Sequence, residues 1–179
     1  ILAIDTVSKT HKWQYTTPGA VKSAIAVKNG TLYANCDDGY LYALNASTGT
    51  LKWRFEQSIR DTLPSNLSSP IIVDGVVYFG SSRDSYIYAV DANTGMLRWK
   101  TYNTYAMGAT ANSSPSVVNG MLYMGDNYHN ILALDATNGQ IKWIFTANGL
   151  VFSSPTVVNG MVYVGSTGGS LYALDAVTG

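Results

Sequence analysis

The chain has 179 residues, 46% of them hydrophobic, which is enough for one substantial core and places the length prior on a single domain. Eleven Lys and Arg balance eleven Asp and Glu, so there is no basic field to hold nucleic acid or an anionic membrane. Charged residues reach only 12%, against roughly 25% in an average soluble domain, and such a polar but uncharged surface leans toward a compartment outside the cytosol.

Residues 1–16 carry two predicted strands, ILAID and the run that reaches Trp13, joined by a turn. Three full units follow at 17–60, 61–103 and 104–148, and residues 149–179 begin another, all within one domain spanning 1–179. The units are copies of each other. ILAIDTVSK (1–9), LYALNASTG (41–49), IYAVDANTG (87–95), ILALDATNG (131–139) and LYALDAVTG (171–179) recur at steps of 40, 46, 44 and 40 residues. Trp13, Trp53, Trp99 and Trp143 are all the tryptophans of the chain, and each follows its motif alanine (Ala3, Ala43, Ala89, Ala133) by ten residues.

The last copies show the elements of one unit. SPTVV ends at Asn159-Gly160, MVYVGS ends at Gly168-Gly169, SLYALD ends in a turn through Gly179, and QIKWIFT (140–146) shows the fourth run. Short runs rich in Val, Ile, Tyr and Leu, separated by Asn-Gly or Asp-Gly, read as strands joined by tight hairpins. We label them A to D from the centre outward. Two of the three inner runs are apolar at nearly every position, the mark of strands covered on both faces. Four strands per period of 40–46 residues predict an all-β fold: a β-propeller of four-stranded antiparallel blades, about four in this chain, hence a partial or half propeller. Residues 144–174 are uncharged but broken by Gly and Pro, so they are no membrane helix, and membrane insertion is not expected.

The pattern A-x-D-x-x-T-G-x-x-x-W spans the turn from strand C to strand D. Residues 89–99 fit it fully, Asn45 replaces the Asp in one copy, and Asn138 replaces the Thr in another. Asp or Asn hydrogen-bonds its own backbone there, and Gly49, Gly95 and Gly139 supply a positive φ. Each Trp is expected to lie over its alanine and reach the turn of the next blade. Ser8 and Lys9 break the pattern in the first copy, whose turn is expected to be the poorest.

The string SSPxVVNGxVYxGS…LYALDAxTGxxxW runs through essentially the whole chain and resembles the pyrroloquinoline-quinone-type propeller repeat. That repeat occurs in quinoprotein dehydrogenases and in the outer-membrane assembly lipoprotein. The resemblance implies one of two functions. One is a non-enzymatic scaffold that binds a protein or polymer partner in the periplasm, at the cell surface or outside the cell. The other is a piece of a pyrroloquinoline-quinone (PQQ)- and calcium-dependent oxidoreductase. Quinoprotein dehydrogenases use Asp, Glu and Asn around the metal and often a vicinal cysteine pair. Here Cys36 is the only cysteine, read as a buried inert thiol, and Glu56 ends a D strand with no acidic neighbour. Asp37-Asp38 and residues 126–130 read as B–C hairpins rather than calcium ligands. His11 and His129 suggest no catalytic set with the recurring SSP serines, which more simply shape the start of strand A. No catalytic residue, metal or cofactor is therefore expected, PQQ with calcium remaining the alternative.

Strand order places the B–C and D–A loops at one end of the sheets. The D–A loops differ most between units, and loops that vary on a constant scaffold are where binding is usually placed. The non-repeating side chains Arg60, Asp61, Arg83, Asp84, Tyr105, Tyr128, His129 and Phe152 form the candidate partner-binding face. Five copies of strand C are one too many for a closed four-bladed ring, where ILAID and LYALDA would compete for one slot. The chain is thus expected to belong to a longer polypeptide or to pair as a homodimer into a ring of about eight blades.

Overall fold

A computed structural model of the protein describes residues 1–57, 68–81, 84–103 and 113–179, and every regular element in them is a β-strand. The first sheet pairs β1 (Leu2–Ile4) with β2 (His11–Gln14). The second holds β3 (Ala26–Lys28), β4 (Thr31–Asn35), β5 (Tyr40–Asn45) and β6 (Leu51–Glu56). The third holds β7 (Ile71–Val73), β8 (Val76–Gly80), β9 (Tyr86–Asp91) and β10 (Leu97–Tyr102). The fourth holds β11 (Ser116–Val118), β12 (Met121–Gly125), β13 (Asn130–Asp135) and β14 (Ile141–Thr146). The fifth holds β15 (Thr156–Val158), β16 (Met161–Gly165) and β17 (Leu171–Asp175). All pairings are antiparallel between consecutive strands.

The blade architecture read from the repeat is present. The short A strands β3, β7, β11 and β15 pack against one another in that order, which places them innermost. Among the described residues β1 pairs with β2 and β17 with β16, so ILAID and LYALDA occupy separate sheets, the arrangement of a partial propeller rather than of a closed four-bladed ring with one contested slot.

The apolar B and C strands are sandwiched because their alternate residues serve two interfaces. Val77 and Phe79 of β8 pack with Tyr33, Leu41 and Ala43 of the second sheet, while Val76 and Tyr78 pack with Leu122, Met124 and Leu132 of the fourth. A period of two with both faces buried leaves no position for a charge.

The turn end of the sheets repeats one design. The A–B hairpins Asn29-Gly30, Asp74-Gly75, Asn119-Gly120 and Asn159-Gly160 have positive φ at both central residues, the two-residue turn whose twist matches antiparallel strands. In the C–D turns, Asn45, Asp91 and Asp175 accept two backbone N–H groups through Oδ1, as does Asp5. The first turn is not the poorest in hydrogen bonds: Lys9 N donates to Asp5 O at 2.9 Å, as Gly49 N does to Asn45 O at 2.8 Å. What sets it apart is a lysine at φ 58°.

Each indole sits beside its motif alanine in register, with a bulge next to that pair, and bridges to the following sheet. Trp13, Trp53, Trp99 and Trp143 donate Nε1–H to the carbonyls of Ala46, Ala92, Ala136 and Ala176 at 3.1, 3.2, 2.9 and 3.1 Å. The same three later carbonyls also accept the hydroxyls of Tyr33, Tyr78 and Tyr123 at 3.0, 3.1 and 3.0 Å. The turn glycine then has to be glycine. A Cβ on Gly49, Gly95 or Gly139 would approach an indole carbon to 2.5, 2.8 and 2.5 Å. Burying one such ring contributes roughly 2–3 kcal/mol.

The SSP serines are structural as well. Ser68 and Ser153 exchange hydrogen bonds with the Gly that ends strand B, and Ser113 Oγ accepts from Gly125 N. The second serine links neighbouring A strands: Ala24 N donates to Ser69 Oγ, Ser69 N to Ser114 Oγ, and Ser114 N to Ser154 Oγ.

Candidate functional site

The loop end is built on a constant backbone with changing side chains. The residue that follows each of the D strands β6, β10 and β14 closes on the B–C loop: Gln57 N donates to Gly39 O, Asn103 N to Ser85 O and Ala147 N to His129 O. Gly39, Ser85, His129 and Gly169 all have positive φ, at 90°, 62°, 72° and 82°. Only glycine does this without cost, yet Ser85 and His129 hold the same place.

The acid that closes each B–C loop changes position. In the second and third sheets Asp38 and Asp84 accept the N–H two residues on, from Tyr40 and Tyr86, and the hydroxyl four residues on, from Tyr42 and Tyr88. In the fourth sheet the task moves two residues back, to Asp126. It accepts Tyr128 N, Asn130 N, Asn130 Nδ2 and Asn103 Nδ2, at 2.8 to 3.0 Å. Four donors on two oxygens satisfy a buried carboxylate completely. Position 128, which corresponds to Asp38 and Asp84, carries an exposed tyrosine whose N–H is one of the four donors.

Residues 147–155, which lead into the fifth sheet, lock onto this network. Val151 N donates to Asp126 O, and Thr167 N donates to Leu150 O. Val151 is buried, and Asn148 ties the loop to Gly168 O, Ser170 Oγ and Ser166 Oγ. Phe152, next to the buried Val151, turns outward. Tyr128 and Phe152 are 47% and 42% exposed and His129 is exposed, so three of the sequence candidates are exposed within three residues of the Asp126–Val151 bond along the chain.

Asp84 is corrected as a candidate contact. It is 2% exposed, and its carboxylate is spent on Tyr86 and Tyr88. Burial raises its pKa above the ordinary range, although the Tyr88 hydroxyl, the Tyr86 N–H, Ser81 and Lys100 pull the other way. Arg60, Asp61, Arg83 and Tyr105 lie outside the described residues. Cys36 is buried and free, with its thiol pKa raised by burial, the environment of an inert thiol.

Calcium and a quinone would need a convergent set of free oxygens. Among the described residues no three His, Cys, Asp or Glu side chains gather. Asp38, Asp84 and Asp126 have partners as above, and Asp37 is paired with Lys22. These carboxylates do not fit a calcium site, and no chemistry is derived through one. Among the described residues no helix is long and apolar enough to cross a membrane.

Sequence reasoning missed the Asp126–Asn103–Asn130 network and the anchoring by Val151. It also missed Tyr33, Tyr78 and Tyr123, although their spacing of 45 residues keeps time with the serine pairs. A tyrosine in a strand is so ordinary that the spacing alone gave it no separate meaning.

Known structures share this architecture. The crystal structure of BamB from Moraxella catarrhalis superposes with a TM-score of 0.85 at 19% identity, over 99% of this chain and 55% of that one. This chain thus spans about half the length of that protein. The computationally designed Ika4 protein aligns with a TM-score of 0.73 at 15% identity, over 89% of this chain and 93% of Ika4. The quinohemoprotein alcohol dehydrogenase ADHIIG from Pseudomonas putida HK5 aligns with a TM-score of 0.78 at 19% identity, over 98% of this chain and 37% of the enzyme. At such identities the likeness is one of fold. No curated protein sequence matches significantly. The sequence pattern of the family described as outer membrane protein assembly factor BamB matches residues 1–101 and again 83–179, so it covers the chain from end to end, and the chain belongs to that family.

Proposed function

We propose that this chain is a non-enzymatic propeller scaffold of the cell envelope that holds a protein or polymer partner on its loop face. The observation that carries the reading is the patch of Tyr128, His129 and Phe152: exposed rings mounted on a buried, fully paired polar network. Large rigid side chains on a fixed base lose little entropy on binding, and aromatic residues are enriched where interfaces concentrate their energy. Arg60, Asp61, Arg83 and Tyr105 extend the proposed face. Membership of a family described by outer membrane protein assembly supports a periplasmic location and a protein as the partner. The occupied carboxylates weigh against the quinone reading, so the proposal includes neither cofactor nor metal. Pairing with a second copy, in which β17 of one chain meets strand D (residues 11–16, β2) of the other, is part of the same proposal, and light scattering at about twice 19.2 kDa would support it.

A photo-crosslinking residue tests the face directly. Placed at 152 it is expected to give adducts with envelope extract, and placed at Thr137, on the turn end, it is expected to give none. Adducts at 137 alone would overturn the reading.

A further inference from the structure

The chain holds five Asn-Gly pairs, at 29–30, 119–120, 138–139, 148–149 and 159–160, and the fold sorts them into two kinds. Asn29, Asn119 and Asn159 open the A–B hairpins, with φ of 50°, 51° and 50°. They are exposed, and among the described residues their side-chain amides make no hydrogen bond. The glycines that follow have nothing within 4 Å of where a Cβ would stand, and among the described residues their nitrogens donate to no acceptor.

Asn138 and Asn148 are held. Asn138 Oδ1 accepts Gln140 N at 2.9 Å, and Gly139 N donates to Asp135 O at 2.8 Å with the residue packed against Trp99. Asn148 Nδ2 donates to Gly168 O and Ser170 Oγ, its Oδ1 accepts Ser166 Oγ, and Gly149 lies against the Gly168 backbone.

Asn-Gly pairs deamidate when the glycine nitrogen loses its proton and attacks Cγ of the asparagine. The new N–Cγ bond closes a succinimide, the Cγ–Nδ2 bond breaks, and the nitrogen leaves as ammonia with the proton. Water then opens the ring at one of its two carbonyls, giving aspartate or isoaspartate, with no change of oxidation state. The reaction needs a free glycine nitrogen, a side chain able to rotate onto it, and room for the ring.

We propose that Asn29, Asn119 and Asn159 are sites of spontaneous deamidation in the folded protein, and that Asn138 and Asn148 are protected by the fold. The third sheet already displays one product. Asp74-Gly75 occupies the equivalent hairpin with φ of 48° and 74°, so opening to aspartate keeps the turn and adds one negative charge. Opening to isoaspartate inserts a methylene into the main chain of a two-residue loop, which disrupts register such as Val27 opposite Leu32. All three sites lie at the turn end, away from the proposed partner face.

Peptide mapping by mass spectrometry after incubation in mildly alkaline buffer tests this, with the protein folded and in denaturant. In denaturant all five pairs should convert at similar rates, because their local chemistry is the same. In the folded protein the three hairpin sites should convert about tenfold or more faster than the other two, a barrier difference of about 1.4 kcal/mol. Equal rates at all five in the folded protein, or equal protection of all five, would overturn the proposal. The variant Asn119→Asp should melt at the unmodified temperature, and a lowered midpoint would contradict the claim that the hairpin accepts the aspartate product.

Discussion

The two ends of the sheets obey different rules. At the turn end, four indoles reach four alanine carbonyls, and four glycines lie beneath them, so every blade junction repeats the last one. At the loop end the backbone bonds also recur, but the side chains do not. Asp38 and Asp84 close two loops from one position, and Asp126 closes the third from another, with the exposed Tyr128 at the place the other two loops give to the acid. Repeated chemistry marks what every blade needs in order to stack, and unrepeated chemistry marks what only one place on the molecule does.

The largest expected effect lies at the turn end. Trp99→Ala empties a packed seat between the third and fourth sheets and should cost roughly 3–5 kcal/mol in denaturant unfolding. An unchanged midpoint would mean that the junction does not depend on its indole. Tyr78→Phe keeps the ring and removes one of two donors to the Ala136 carbonyl, so it should cost only about 1 kcal/mol. A loss as large as that of Trp99→Ala would show that the hydroxyl, not the indole, organises the junction.

Acid distinguishes the two ends by sign. The turn carboxylates Asp5, Asp91, Asp135 and Asp175 are held below their ordinary range. The first causes are the Ser8 N–H, the Arg98 guanidinium, the Thr137 hydroxyl and the Thr178 N–H respectively. Asp91 falls to about 2 from an unperturbed 3.8. A lowered folded pKa contributes stability above the unfolded value and loses it as pH falls through the folded one, here from 3.8 toward about 2. Asp84 at the loop end is raised by burial, so its contribution is present below the unfolded value and fades as pH rises through the folded one. Asp91→Asn should therefore lose its stability difference from the unmodified protein in acid. Asp84→Asn should compare more favourably at neutral pH than in acid. Melting curves across that range check both, and parallel pH profiles would remove the distinction.

The smallest effect concerns Lys9. Relieving a positive φ offsets the entropy that glycine adds to the unfolded chain, so Lys9→Gly should stabilise by less than about 1 kcal/mol. A lowered midpoint would show that the lysine side chain contributes more to its turn than the strain removes.

These contrasts also explain what was legible in the sequence. Blades, strand order and the Trp-to-turn contact could be read because one contact, needed several times, leaves the same residues at a fixed spacing. Asp84 was misplaced because its letter resembles a solvated loop acid, and its burial depends on Tyr88 four residues later. Tyr128 and Phe152 could be named as non-repeating, but the tie between their two loops depends on Val151 N reaching Asp126 O, from one sheet to the next. No local pattern encodes that bond. The separate places of β1 and β17 were legible in a count of strands, because five C strands do not fit the four slots of a closed four-bladed ring.

The most direct test of the division between the ends is a paired measurement on the double variant Tyr128→Ala, Phe152→Ala. Both side chains are exposed, so its unfolding free energy should stay within about 0.5 kcal/mol of the unmodified protein per substitution. Its retention of an envelope partner captured by the unmodified protein should be lost. Full retention at unchanged stability would contradict the account, because these two non-repeating side chains would then have no part in binding.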